Sequence, residues 1–129
     1  LIKQVKGGSN FVVMGDMNTG KKSDPGILAE IPDNYARFEA AKWQAPYVSG
    51  ATPKCTYCGD KTLVASGADK GGEGAIIEHV FVDPAFTASN PRRTQDTQVS
   101  VQVGGKAQQT HVSDHFGVAV DVEVRFGEE

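Results

Sequence analysis

The chain has 129 residues and a formal net charge of −3 at pH 7. This length is sufficient for one domain with its own core, and a hydrophobic content of 39% is ordinary for a globular protein. The acidic balance argues against a protein that binds through a broad basic surface, although a local patch would suffice for a nucleic-acid substrate. No apolar run approaches the length of a membrane span, so we expect no transmembrane segment.

The first eight residues have the pattern of a helix end. Leu1, Ile2 and Val5 are apolar, Lys6 is basic, and Gly7 is a typical stop signal. A chain that begins inside a helix is typical of a piece of something longer. We therefore expect further sequence before Leu1.

A short apolar run followed by a polar pair is the most informative stretch of the sequence. Four apolar residues, Phe11 to Met14, predict a buried strand, and Asp16 and Asn18 follow Gly15 at a spacing of two. Residues i and i+2 of an extended segment point the same way, so both side chains are expected in one cleft. A carboxylate and a carboxamide there suit phosphate-ester chemistry, although a strand-end turn explains the pair equally well in isolation.

The sequence after Pro32 predicts the main helix. Asp33 has the character of an N-cap for a helix from about residue 34 to residue 45. Tyr35, Phe38 and Ala41 recur at helical spacing and are expected to form its buried stripe.

Two cysteines lie in a long irregular stretch between Pro46 and Gly74. Cys55 and Cys58 suit half of a zinc site, a redox pair or a local disulfide. No second cysteine pair exists, which excludes a four-cysteine zinc site, and adding His79 and His111 would require spacings unlike a zinc finger. We favour a Cys55–Cys58 disulfide over two free thiols, and therefore a secreted or periplasmic location.

The second half of the chain predicts three more strands. Residues 75–82 are apolar except for Glu78 and His79, and a charged residue within such a strand needs a partner. Residues 99–103 alternate before a Gly-Gly turn, which predicts a half-buried hairpin strand. Residues 118–126 show the clearest period-two pattern, following Asp114 and His115. Residues 90–93 are expected to form a basic loop.

Three predicted strand ends therefore carry polar residues, and in this order they resemble the endonuclease/exonuclease/phosphatase superfamily, which has the deoxyribonuclease-I-like fold. Gly15-Asp16-Met17-Asn18 resembles the family's G-D-x-N motif. The segment Ile77-Glu78-His79-Val80-Phe81-Val82 resembles its I-D-[YH]-I-F-V strand, and Ser113-Asp114-His115 resembles its S-D-H motif.

The resemblance implies an α/β fold, a four-layered α/β sandwich of two packed sheets flanked by helices. The family's metal-binding Glu and first catalytic His precede its G-D-x-N motif, so residues 1–129 correspond to the C-terminal portion of one domain. We therefore expect one mixed or antiparallel sheet with flanking helices, an open sheet edge, and an incomplete metal site without the N-terminal half.

The resemblance also implies hydrolysis of a phosphodiester by in-line attack of activated water, with Mg²⁺, or Mn²⁺ or Ca²⁺, as cofactor. Asp16 would orient or deprotonate the water, Asn18 would position the nucleophile or the phosphoryl oxygen, and His115 would contact the phosphate. Asp16, Asn18 and Asp114 would form the metal environment. Glu78 stands where the family normally has the Asp that orients the motif histidine, which makes Glu78 the fourth catalytic residue of the prediction.

The expected substrate is a nucleic acid or a phospholipid head group. The chain is loosely similar to bacterial secreted sphingomyelinases but lacks their membrane-inserting aromatic hairpin. Two other functions remain open: a binding module that keeps the fold without catalysis, and an unrelated domain whose cysteine pair binds metal.

Overall fold

The computed structural model describes residues 10–23, 26–50, 53–59 and 74–124. These ranges contain one helix among short, mainly antiparallel strands. In chain order the elements are β1 (Val12–Asp16), β2 (Ile27–Leu28), α1 (Pro32–Ala40), β3 (Gly74–Ala75), β4 (Glu78–Val82), β5 (Thr87–Thr94), β6 (Val99–Val103), β7 (Lys106–Thr110) and β8 (Gly117–Glu123). The expected helix end at residues 1–8 lies outside the described ranges.

The strands form four two-stranded ladders within the described ranges, whereas the sequence predicts one mixed sheet. β1 pairs with β4, β5 with β8 and β6 with β7, all antiparallel, and β2 pairs with β3 in parallel. The predicted strand at 75–82 is divided between β3 and β4, because the backbone of Ile77 makes its hydrogen bonds to residues outside the named strands. Its N–H donates to Thr56 Oγ1 at 3.0 Å and its carbonyl accepts from Met17 N–H at 2.9 Å.

β1 forms where the apolar run predicts a strand, but the expectation that it is buried is wrong. Phe11, Val12 and Val13 are half-buried, and Met14 is 68% exposed. Within the described ranges β1 pairs only with β4, and Val13 packs against the core while the alternate face stays open.

Helix α1 is shorter than predicted. Ile31, in the left-handed region with φ 37°, is the N-cap, so the assignment of Asp33 to that position is wrong and Asp33 lies in the first turn. The helix ends at Ala40 because Lys42 turns the backbone with φ 64°. Tyr35 and Phe38 face the core as predicted, whereas Ala41 lies beyond the helix and is exposed.

An aromatic cluster between α1 and β4 forms the centre of the core. Phe81 and Tyr35 are 0% and 1% exposed, and the Phe38 ring stacks on Phe81 at 3.9 Å between centroids. Trp43 meets the edge of Phe38. Since Phe81 belongs to β4, this packing fixes the strand that begins at Glu78.

The C-terminal strands lie where they are predicted, but the expectation that β6 is half-buried is wrong, since Val99 and Val103 are 39% and 52% exposed and only Val101 is partly covered. The β6–β7 hairpin turns at residues 104–105, and β8 covers the start of the alternating segment, whose last residues, 125–129, lie outside the described ranges. The basic loop expected at 90–93 is wrong, because these residues belong to β5. A register shift between Ser89 and Arg92 accommodates Pro91, which has no N–H to donate.

Candidate active site

The register of β1 against β4 brings two predicted site residues together. Asp16, the last residue of β1, lies opposite Glu78, the first residue of β4. The two carboxylates are 62 residues apart in the sequence. Antiparallel pairing places the end of one strand beside the beginning of the other, so both side chains belong to one end of the ladder.

His115 completes a cluster with these carboxylates. Its Nδ1 contacts Glu78 Oε1 directly and lies 4.0 Å from Asp16 Oδ2. An ionised carboxylate only accepts hydrogen bonds, so we assign the proton of this pair to Nδ1. His115 Nε2 is then the ring nitrogen left for a substrate.

The other two predicted site residues line the same cleft as His115. This cleft has a volume of about 290 Å³ and is bordered by Asn18, Glu30, Tyr57, Ala75, Ile77, Asp114 and His115. Asn18 lies beyond the end of β1, in a left-handed turn with φ 47°, and its N–H donates to Asp16 Oδ1 at 2.9 Å. Asn18 therefore reaches the cleft through a turn, and the expectation that residues 16 to 18 are extended is wrong.

The cluster is enclosed on the Glu78 side and open on the Asp16 side. The Glu78 side chain is 13% exposed, that of His115 29% and that of Asp16 41%. The second carboxylate oxygen of Glu78, Oε2, is buried and has no hydrogen-bond partner among the residues that the structure describes. A buried carboxylate oxygen with no partner is costly, and a cation or a substrate donor at this position would relieve that cost.

The donor set suits a hard divalent ion. Ligand atoms of Asp16, Glu78 and His115 all lie within 4.8 Å of one another. Two carboxylates, with the Asn18 amide nearby, offer the oxygen ligands that Mg²⁺ and Mn²⁺ favour. The sequence predicts Asp16, Asn18 and Asp114 as the metal ligands. Of these, Asp16 belongs to the cluster, which also contains Glu78. Asn18 and Asp114 line the neighbouring cleft.

His79 has a structural environment, although it neighbours Glu78. It is 3% exposed, and its Nε2–H donates to the Thr19 carbonyl at 2.6 Å. Burial lowers the pKa of the His79 imidazole below its ordinary value, which favours the neutral ring. The ring packs against Tyr35 and Phe81, so His79 belongs to the core.

The segment from Cys55 to Cys58 contains two residues near the cluster, Thr56 and Tyr57, that the sequence did not single out as site residues. Cys55 and Cys58 form a disulfide, the pairing that the sequence favours. Between them, Thr56 is fully buried and the Tyr57 ring lies 4.8 Å from the His115 ring. The flanking cysteines were the only signal in the sequence, because a non-periodic loop does not reveal which side chains turn inward.

Within the described ranges, no helix is both long and apolar enough to cross a membrane. Comparison of the chain with protein-family models, with curated proteins and with solved structures found no match.

Proposed function

We propose that this chain carries the catalytic site of a divalent-metal-dependent phosphodiesterase. The observation that carries the proposal is the meeting of Asp16, Glu78 and His115, which come from three separate segments and bring their ligand atoms within 4.8 Å of one another. Asn18 and Asp114, from two of the same motifs, line the cleft beside them. Packing alone gives no reason for three such groups to meet beside a cleft that two further motif residues line.

The finer architecture belongs to the same proposal. We infer that residues 1–129 are the C-terminal portion of a four-layered α/β sandwich of the endonuclease/exonuclease/phosphatase type. The exposed face of β1, with Met14 68% exposed, supports this inference, since a strand with four apolar residues in a row is typical of a covered position.

The chain's own residues supply the proton transfers and the orientation. Asp16, with one oxygen engaged by Asn18 N–H, orients or deprotonates the attacking water through the other. Glu78 accepts from Nδ1–H and so orients the His115 ring, and in the imidazolium form Nε2–H can donate to a phosphoryl oxygen. Negative charge grows on these oxygens in the transition state, where such a donor is most effective.

The metal environment in this proposal consists of Asp16, Asn18 and Asp114, joined by Glu78 through Oε2. A divalent ion bound there would offset the charge that develops on the phosphoryl oxygens. The buried, unpartnered Glu78 Oε2 and the hard oxygen donors around it support such an ion, with Mg²⁺ as the first choice and Mn²⁺ or Ca²⁺ as alternatives.

The substrate in this proposal is a phosphodiester, in a nucleic acid or a phospholipid head group. Lys21, which lies near the motif in sequence, pairs with Glu39 at 2.7 Å. The acidic groups Glu30 and Asp114 border the cleft. An anionic substrate would therefore need the positive charge of a metal ion to bind in this cleft. The disulfide supports a secreted or periplasmic location.

Hydrolysis of bis-p-nitrophenyl phosphate tests the proposal, with the longest natural form that contains this chain. We expect turnover with Mg²⁺, none with a chelator, and a loss of at least about 100-fold in His115→Ala. His111→Gln is the matched control, because His111 packs edge-on against Phe116 and is not part of the cluster. A folded protein without hydrolysis would favour the binding module, and activity would justify comparing sphingomyelin with DNA.

A further inference from the structure

One buried threonine, Thr56, is hydrogen-bonded to the backbone of Glu78 and to that of Phe116, the residue that follows His115. We propose that Thr56 is the positioning residue of the Glu78–His115 pair and that the Cys55–Cys58 disulfide holds Thr56 in place, so that phosphodiester hydrolysis requires the oxidised disulfide. This proposal rests on the proposed function. It adds that the activity of the site depends on the oxidation state of a disulfide that is not itself part of the chemistry.

The Thr56 hydroxyl fixes the start of β4. Its oxygen accepts hydrogen bonds from Ile77 N–H at 3.0 Å and Glu78 N–H at 3.3 Å, and its proton is directed to the Ala75 carbonyl at 3.4 Å. A hydroxyl has one donor and two acceptor positions, so Thr56 uses its full capacity here. The residue is 0% exposed, and water cannot substitute for these bonds.

The backbone around Thr56 fixes the histidine side of the pair. The Thr56 carbonyl accepts from Phe116 N–H at 2.7 Å, directly after His115. The next residue, Tyr57, forms a β-bridge with His115, and the two rings lie 4.8 Å apart. Thr56 is therefore bonded to the backbone of Glu78 and to the residue that follows His115.

The disulfide encloses this link. Cys55 and Cys58 flank Thr56 and Tyr57, and the bond between them closes the segment into a small loop. Gly74 packs so closely that an added Cβ would overlap Cys55 and the Tyr57 carbonyl. The loop is thus held against β3 as well as against the site.

Arg93 holds the loop from a third side. Its Nη1–H donates to the Cys55 carbonyl at 3.0 Å, and its guanidinium lies 4.1 Å from the Phe116 ring centroid. Arg93 is part of β5, so the loop, the histidine segment and the β5–β8 ladder meet at this point. A change in the loop would therefore be transmitted to His115.

Reduction of the disulfide would release the loop without removing any catalytic group. A dithiol would supply two electrons and two protons, the S–S bond of Cys55 and Cys58 would become two thiols, and the reductant would end as a cyclic disulfide. The segment would then lose its cross-link while Asp16, Glu78 and His115 stayed chemically intact. We expect kcat to fall because small displacements of catalytic groups strongly reduce rates.

Paired substitutions at Thr56 separate positioning from packing. Thr56→Val keeps the shape and removes the hydroxyl, whereas Thr56→Ser keeps the hydroxyl and removes a methyl group. We expect Thr56→Val to lower kcat by about 10- to 100-fold with little change in KM, and Thr56→Ser to stay within about threefold of wild type. A packing role predicts the reverse order, and that result would overturn the proposal.

The His115 Nδ1 proton provides a readout that does not need turnover. With ¹⁵N-histidine, its downfield resonance is assigned by its absence in His115→Ala. We expect the resonance in wild type and Thr56→Ser, and its loss through solvent exchange in Thr56→Val. If wild type hydrolyses no phosphodiester, the proposed function fails, while this resonance still decides the positioning role. An unchanged resonance in a folded Thr56→Val protein would contradict it.

Reduction of the wild-type protein tests the disulfide and remains decisive if Thr56→Val does not fold. We expect a dithiol to lower kcat by about tenfold or more, to remove the His115 resonance, and to act reversibly on reoxidation. The Cys55→Ser/Cys58→Ser variant controls for chelation of the metal by the dithiol. Its kcat should be as low as that of the reduced wild type, and the dithiol should not lower it further. Full activity with an intact resonance after reduction would overturn the proposal.

Discussion

Substitution of Glu78 by glutamine examines the pair on which the proposed chemistry depends. Glu78→Gln preserves the size of the side chain and removes the charge that faces His115 Nδ1. We expect His115 to lose part of its orientation, because a neutral amide oxygen accepts a weaker hydrogen bond from Nδ1–H than a carboxylate does. The fold should persist, because the aromatic packing of Phe81 fixes β4 independently of the charge.

The expected magnitude follows from the enclosure of the pair. The two side chains are 13% and 29% exposed, so solvent screens their interaction only in part. A hydrogen bond to a charged group contributes about 1.5–3 kcal/mol. If this contribution is made fully in the transition state, kcat falls by about 10- to 150-fold.

The assay is the initial rate of bis-p-nitrophenyl phosphate hydrolysis at saturating Mg²⁺, combined with a Mg²⁺ titration. Saturating metal separates the effect on His115 from weaker metal binding through Glu78 Oε2. Glu30→Gln is the matched control, since it removes the same charge from the wall of the same cleft and leaves the Glu78–His115 pair intact. A kcat for Glu78→Gln within about threefold of wild type would refute the role assigned to the pair.

Three further predictions concern the metal environment, the core and the pH dependence of stability. Asp16→Asn should lower kcat by about 100-fold or more and raise the Mg²⁺ concentration needed for half-maximal rate, and an unchanged Mg²⁺ titration would contradict this. Phe81→Ala should lower the free energy of unfolding by about 3–5 kcal/mol in urea titrations, because the ring is 0% exposed and stacked on Phe38. Burial, with a smaller effect of Glu39, raises the pKa of Tyr35 from 10.0 to about 12, so its contribution to stability is complete below pH 10 and is lost between pH 10 and pH 12. Tyr35→Phe should therefore lose less stability than wild type between about pH 9 and about pH 11, and equal losses would refute the assignment.

The sequence predicted where several strands lie and which helix side chains face the core, although it overstated the burial of β1 and β6. β1, β4, the β6–β7 hairpin and β8 follow from apolar runs or alternation, and Tyr35 and Phe38 follow from helical spacing. β5 was missed because Pro91 lies inside it. The bulge that admits Pro91 depends on pairing with β8, about 30 residues later, which no local pattern reveals.

The end of α1 illustrates a different limit. The apolar spacing continues past Ala40, so the sequence predicts a helix to residue 45, with no glycine to stop it. Lys42 instead adopts φ 64°, and Trp43 N–H bonds back to the Phe38 carbonyl at 3.1 Å. The Trp43 ring then packs against Phe38. These contacts, with the Lys42 N–H bond to the Glu39 carbonyl at 2.9 Å, form a Schellman motif in which Lys42 takes the left-handed position that glycine usually occupies.

The residues of the proposed site were easier to find in the sequence than the residues that hold them. Asp16, Asn18, Glu78, Asp114 and His115 occur in short motifs, and polar residues at the ends of apolar strands are conspicuous in a sequence. Thr56 is one of several hydroxyl residues in an irregular stretch, and the three hydrogen bonds of its hydroxyl join it to residues 19 to 22 positions away. Such bonds are visible only after the chain has folded.

Hydrolysis of a phosphodiester in ¹⁸O-labelled water tests the central claim most directly. The account predicts Mg²⁺-dependent formation of a phosphomonoester that carries one ¹⁸O atom, with no label in Asp16 or Glu78 after a single turnover, and no product with a chelator or in His115→Ala. Label that enters a carboxylate of the protein first would contradict direct attack by water. A folded protein that forms no product would contradict the phosphodiesterase itself.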